Sequence, residues 1–363
     1  MNEIGILKHE LDTPALWTDL DALERNIASL AHHFKAAGVA WRPHTKGIKV
    51  PAIAHMLLAA GAHGITCAKV SEAEVMAAAG ITDILIANQI VTPHKISRLV
   101  NLRRAQADVK VAVDQLENAR AIGAAARDKG VVINVLIEIN TGMNRSGVLP
   151  GDETVKLAQH LSEIEGIHLL GLMTWEGHTL GLEDPIAKRA GIEHAIQQML
   201  NTAQQCRELN IPIEVLSCGG SGTYTITSQI KGITEIQAGG GIFCDMAYQA
   251  WGVALEPSLF VRSTVTSRPV PTRIILDAGF KTLPRGFASP KLLGVDDIES
   301  SAYSAEHGII TLNEPNHTLK VGDAIDMVVG YSDATVFAHD TLYGLRDGRV
   351  EAVWPILGRG KLQ

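Results

Sequence analysis

The sequence predicts an α/β chain in which a (β/α)8 barrel is followed by a smaller β domain. Three observations carry that prediction. Runs of strand character alternate eight times with helical stretches, joined by short connections, between residues 39 and 237. Two glycine-rich loops follow the last two of these runs, where such barrels commonly hold a phosphate. After Trp251 the pattern shifts to short β runs broken by turn residues. The competing plan is an open doubly wound sheet, but no Gly-x-Gly-x-x-Gly follows the first strand to support it.

In chain order, residues 1–13 read as an extended lead-in ending at Thr13-Pro14. A helix begins near Asp19 or Asp21, either of which suits an N-cap. Barrel strands are expected at 39–42, 64–68, 83–88, 109–114, 132–140, 168–175, 214–218 and 233–237, each a short apolar run. Apolar residues three and four apart place helices over 51–60, 71–79, 93–102, 115–128, 152–164 and 184–209, with a weaker one over 225–229. Further β runs are expected at 258–267, 273–277, 308–312, 324–329, 341–346 and 349–355. Asp347-Gly348 between the last two is a strong hairpin signal. The barrel is therefore assigned to 12–252, and the β domain to 1–11 with 253–363.

Composition narrows the function. The chain has 363 residues, 46% hydrophobic and 20% charged, enough for two domains and a large core. A net charge of -7 offers no basic surface to nucleic acid or to an anionic membrane. Cys67, Cys206, Cys218 and Cys244 are too widely spaced for a disulfide framework or a zinc knuckle. Cys67 and Cys218 lie in apolar runs and read as buried small hydrophobes. With no leader or long apolar span in view, a cytoplasmic protein is the expectation.

The stretch 41–49, Trp-Arg-Pro-His-Thr-Lys-Gly-Ile-Lys, ends the first strand. Lys46 there, beside a histidine and an arginine, would point into the barrel mouth, and its amine can condense with an aldehyde. Taken alone, the motif reads better as an exposed lysine in a basic corner; the rest of the chain reverses that order. After the fifth strand, glycines flank Arg145, which suits a tight loop presenting a guanidinium to an anionic atom or, as readily, a solvated arginine in a turn. After the sixth, His178 can move a proton near neutrality or serve as a hydrogen-bonded structural histidine. The loops Ser217–Tyr224 and Gln237–Ile242 give the phosphate side, with mere turn glycines as the weaker reading.

With these motifs in place, the chain resembles the fold-type III pyridoxal-phosphate enzymes. The branch is that of D-threonine aldolase, D-serine dehydratase and D-threo-3-hydroxyaspartate dehydratase, built on the alanine-racemase plan. The resemblance rests on 42–46, 69–74, 142–147, Glu176-Gly177-His178, 219–224 and 277–281, and extends through Glu306-His307-Gly308 and Val353-Trp354-Pro355. It implies pyridoxal 5'-phosphate as cofactor, held covalently by Lys46. Arg145 would contact the ring, and Ser221, Gly222, Thr223, Gly240 and Gly241 the phosphate. It also implies a homodimer. One motif departs from the branch. A metal pair, His-x-Asp or His-x-Cys, usually stands where this chain has Tyr331-Ser332-Asp333. Asp333 fits the second ligand, but an un-ionised phenol is a poor donor, so a divalent metal is not carried over.

The expected activity is a lyase acting on a β-hydroxy-D-amino acid. Retro-aldol cleavage to glycine or another small amino acid and an aldehyde comes first, because expelling hydroxide gains more from a Lewis acid than deprotonating a hydroxyl does. Dehydration to a keto acid and ammonia is the alternative. A racemase with Tyr331 as second base is a further one, and a non-enzymatic cofactor carrier ranks last. Lys46, His178 and Tyr331 are the expected catalytic residues, with Asp333 on the substrate or metal face. The partner is a small amino acid, not nucleic acid or membrane.

Overall fold

The computed structural model describes residues 3–105 and 107–363; Met1 and Asn2, the start of the expected 1–11 segment, lie outside the described residues. The chain divides into two compact units. One comprises Ser29–Lys46, Ile53–Gly239 and Lys361–Gln363, and the other Met1–Ala28, Gly47–Ala52 and Gly240–Gly360.

The first strand, β1 (Ala15–Asp19), belongs to the second unit. The helix Leu20–Ala37 follows it at once, and Asp19 Oδ1 accepts the Ala22 amide at 3.0 Å, so Asp19 is the expected cap. The barrel unit contains β2 (Ala40–Trp41), β3 (Ile65–Cys67), β4 (Asp83–Gln89), β5 (Asp108–Val113), β6 (Ile133–Glu138), β7 (Ile167–Met173), β8 (Val215–Cys218) and β9 (Glu235–Ile236). They run β2-β9-β8-β7-β6-β5-β4-β3, all parallel, and a parallel bridge between His44 and Thr66 joins the two ends of that order. Helices cover the outside, so the strands are buried on both faces, as in 84–86 and 109–113, all apolar apart from the buried Lys110. Leu85, Ala112, Leu136 and Met173, from four successive strands, pack as one cluster. This is the (β/α)8 barrel read from the alternation.

The second unit is built on a nine-stranded sheet. Besides β1 it contains β10 (Leu259–Ser267), β11 (Arg273–Leu276), β12 (Lys291–Leu292), β13 (Ile298–Tyr303), β14 (Gly308–Leu312), β15 (Ala324–Val328), β16 (Thr341–Arg346) and β17 (Arg349–Pro355). Its path is β13-β14-β11-β10-β1-β16-β17, with β15 bonded to β10 and β12. Asp347 and Gly348, at φ 49° and 72°, make the left-handed pair that the β16–β17 hairpin needs. The strand β1 was not foreseen. It lies within 12–252, which the sequence reading gives to the barrel, yet it pairs with β10 and β16. Trp17 anchors it, stacked on Phe260 at 4.5 Å, its indole N–H donating to Asp326 at 3.0 Å. The helix Ser332–Ala338, right after Tyr331, was also unforeseen.

Candidate active site

Lys46 sits in a single 3-10 turn, Thr45–Gly47, a few residues beyond β2. The Thr45 hydroxyl donates to the Thr66 carbonyl at 3.0 Å and fixes the turn to the end of β3. Lys46 itself is exposed. A pinned backbone with a solvent-reachable amine is what a covalent carrier of an aldehyde requires. Arg42, read from sequence as part of the same corner, lies elsewhere. It is buried, and its guanidinium bonds Glu235 and Asp83, the first residues of β9 and β4, and meets His63. Lys110 joins the cluster through Asp83 and Asp108. This is the N-terminal end of the barrel, where charge serves the fold.

Two strand ends converge on the C-terminal side. At the end of β6, the buried Glu138 accepts from Gln89 Nε2 (2.6 Å), Ser146 Oγ (3.0 Å) and Arg145 Nη2 (3.4 Å). Glu138 thereby orients the exposed Arg145 guanidinium. The hydroxyls of Thr141 and Thr174, 2.7 Å apart, tie the loop after β6 to the end of β7. Gly142, at φ 130°, lies so close to the exposed His178 that a Cβ there would stand 2.7 Å from Nε2. Arg145 and His178 are thus on adjoining loops.

On the phosphate side, Ser221 and Thr223 are buried and Gly222 is half-buried. The Gly222 amide donates to no protein acceptor among the described residues. The Thr223 hydroxyl is committed within the protein, donating to Glu176 beyond β7 and accepting from the Gly220 amide of its own loop. Cys218 just before it is buried, as expected, and burial followed by the charge of Glu176 pushes its thiol well up.

The remaining predicted residues belong to the second unit. Gly240 and Gly241 are buried, and a Cβ on Gly240 would collide with the Tyr248 hydroxyl. The Tyr331 hydroxyl donates to Asp333 Oδ2 at 2.9 Å, and its ring meets Phe287 edge-on at 5.1 Å and Trp251 at 6.0 Å. Burial first, then Asp333, holds the Tyr331 phenol far above its ordinary value. Asp245 braces the segment by accepting the Ser332 amide at 2.5 Å and the Tyr248 amide at 3.0 Å, and burial pushes its carboxyl up to about 6. A Cβ on Gly47, the residue after Lys46, would collide with Asp333 Oδ1.

The residues fit a phosphate-bearing aldehyde: a pinned, exposed amine, an uncommitted backbone amide in a glycine loop, and close approaches that admit no Cβ. To a divalent metal, Tyr331 offers a protonated phenol whose hydrogen is given to Asp333, a poor donor. Sequence reasoning missed the supporting carboxylates Glu138, Glu176 and Asp245. The available signal was an acidic residue at a strand end beside a glycine-rich loop.

Two domain families match the chain: the alanine racemase N-terminal domain over residues 18–246, and a serine dehydratase domain over residues 258–345. The chain is 33% identical over 369 residues to the 3-hydroxy-D-aspartate aldolase of Paracoccus denitrificans (strain Pd 1222), covering 98% of this chain and 94% of that protein. It is 37% identical over 279 residues to the D-threo-3-hydroxyaspartate dehydratase of Delftia sp. (strain HT23), covering 76% and 73%. The crystal structure of D-threonine aldolase from Filomicrobium marinum superimposes with a TM-score of 0.96 at 35% identity, covering 99% and 98%.

Proposed function

The chain belongs to the alanine racemase N-terminal domain family, in the branch of these aldolases and dehydratases, and from that premise we propose that it cleaves β-hydroxy-D-amino acids with pyridoxal 5'-phosphate. The bond broken is Cα–Cβ, and the products are glycine or another small amino acid and an aldehyde. When bound, the cofactor supplies an electron sink for the pair released at Cα.

The protein's own residues do the rest. Lys46 holds the cofactor through its amine. Arg145, steadied by Glu138, faces the anionic edge of the ring. Ser221, Gly222, Thr223, Gly240 and Gly241 form the phosphate grip, by direct contact or by shaping its loops. Tyr331 and Asp333 act on the substrate hydroxyl. Its proton passes to Tyr331 Oη as the tyrosine proton passes to Asp333, and Cβ–O becomes a carbonyl as the Cα–Cβ pair moves to Cα. His178 returns a proton to Cα. A homodimer and a cytoplasmic location complete the reading.

The observation that carries C–C cleavage is the 2.9 Å bond from Tyr331 to Asp333. It supplies a route for removing a proton, whereas loss of hydroxide gains most from a Lewis acid, and the Tyr331–Asp333 donor set suits none. Dehydration remains the second reading because the Delftia relative carries that name. Racemisation, with Tyr331 as the second base, is the further reading.

The test is to incubate the cofactor-loaded enzyme with D- and L-β-hydroxy amino acids, with and without chelator. The expected result is an aldehyde plus glycine from D-configured substrates, unchanged by chelation. A keto acid with ammonia would instead make it a dehydratase. Inversion at Cα without carbon loss would make it a racemase.

A further inference from the structure

Glu176 is 0% exposed, yet the described residues give it no cationic partner. A buried carboxylate is costly unless its acceptor sites are filled. Here they are filled from one place. Oε1 accepts the hydroxyls of Thr223 and Thr227, both at 2.7 Å, and Oε2 accepts the Gly219 amide at 3.2 Å. All three donors lie on the loop after β8 or on the short helix Tyr224–Thr227 that follows it. Glu176 itself comes from the end of β7. Its neighbour Trp175 lies under the same loop, so that a Cβ on Gly220 would stand 2.6 Å from the indole.

A carboxylate accepts and never donates, so Glu176 fixes the direction of every bond around it. The Thr223 proton is drawn to Glu176, which leaves Thr223 Oγ1 to accept the Gly220 amide at 3.2 Å. The Thr223 amide is also engaged, by the Gly220 carbonyl at 3.1 Å. Thr223 therefore has no hydrogen left to give to a phosphate. The Gly222 amide, one residue before it, is left uncommitted at the crest of the turn.

We propose that Glu176 is a positioning residue for the phosphate grip: through Thr223, Thr227 and Gly219 it holds the 219–223 loop with the Gly222 amide turned toward a phosphate monoester. This rests on the cofactor reading above and revises it in one respect, making Thr223 a brace for the loop and not a phosphate ligand.

The test compares two aldehydes that differ only in the phosphate. Apo-enzyme is titrated with pyridoxal 5'-phosphate and with pyridoxal, following absorbance of the bound aldehyde. Glu176→Gln should weaken the phosphorylated ligand by about 10- to 100-fold, the cost of a lost charge-assisted bond, and leave pyridoxal within about twofold. Thr223→Val should reproduce that loss and Thr223→Ser should restore binding. These two variants carry the test if Glu176→Gln fails to fold. Equal losses for both aldehydes, or no loss for either, would overturn the proposal. A wild-type protein that binds neither aldehyde would instead overturn the cofactor reading on which it stands.

Discussion

Arg42 and Lys46 are separated by three residues, yet they serve opposite ends of one barrel. Arg42 is 1% exposed and meets Glu235, Asp83 and His63 at the N-terminal ends of the strands. Lys46 is exposed beyond the C-terminal end of β2. At the first end every charge is matched within the cluster, and the groups are tuned to stay as they are. Burial would raise Asp83, but the charge and hydrogen bonds of Arg42 and Lys110 outweigh it and hold the carboxyl below its usual range. Burial and the Arg42 charge hold His63 below its usual value. At the second end, the buried Glu138 and Glu176 hold loops in place, and Lys46, Arg145 and His178 are exposed. Charge at the first end stabilises the fold, and under the proposed function charge at the second serves the chemistry.

Substitutions at the two ends should separate these roles. Lys46→Ala is expected to lower turnover by roughly 10³-fold or more, with a melting temperature close to wild type because the side chain is exposed. Arg42→Met should do the reverse. It leaves Glu235 and Asp83 without their guanidinium and should cost about 3–5 kcal/mol in denaturant unfolding, while activity per folded molecule is retained. A loss of activity with unchanged stability would break the contrast.

Tyr331→Phe removes the hydroxyl that bonds Asp333 and should lower retro-aldol turnover by roughly 10²-fold with little change in KM. Equal turnover of the two proteins would remove Tyr331 from the proton path.

The smallest expected effects are in the pH dependence of stability, and there the two units should differ in sign. Asp83 is depressed in the fold, so its contribution is complete above the unfolded value of 3.8 and fades as pH falls below it. His63, also depressed, contributes above 6.5 and loses that contribution as pH falls from there. Asp245 is raised from 3.8 to about 6, so the folded chain keeps a proton that the unfolded chain releases, and stability falls as pH rises through that window. Melting temperatures measured from pH 3 to 7 should therefore lose opposite slopes in Asp83→Asn and Asp245→Asn. Slopes of the same sign would contradict the assignment.

How much of this was legible in the sequence follows from what each element depends on. The barrel strands were legible because each is a local apolar run such as 109–113, buried on both faces. The strand β1 was not, because its partners β10 and β16 lie more than 200 residues away and Pro14, Thr18 and Asp19 mask it locally. The strand β13, mostly exposed, offers no alternation to read. In the proposed site, the two glycine loops stood out by their place after the last two barrel strands, whereas Lys46 took its role only from the family resemblance. Arg42 was misread since nothing in a linear motif says which end of a barrel a long side chain will reach. Glu176 and Glu138 were not singled out because their hydrogen-bond donors come from other parts of the chain.

The amine of Lys46 is the centre of the proposed chemistry. Cofactor-loaded enzyme reduced with borohydride and mapped by peptide mass should show the pyridoxyl label on Lys46 alone, and none in Lys46→Ala. Label on another lysine, or no label after reduction of protein carrying the cofactor's absorbance band, would contradict it.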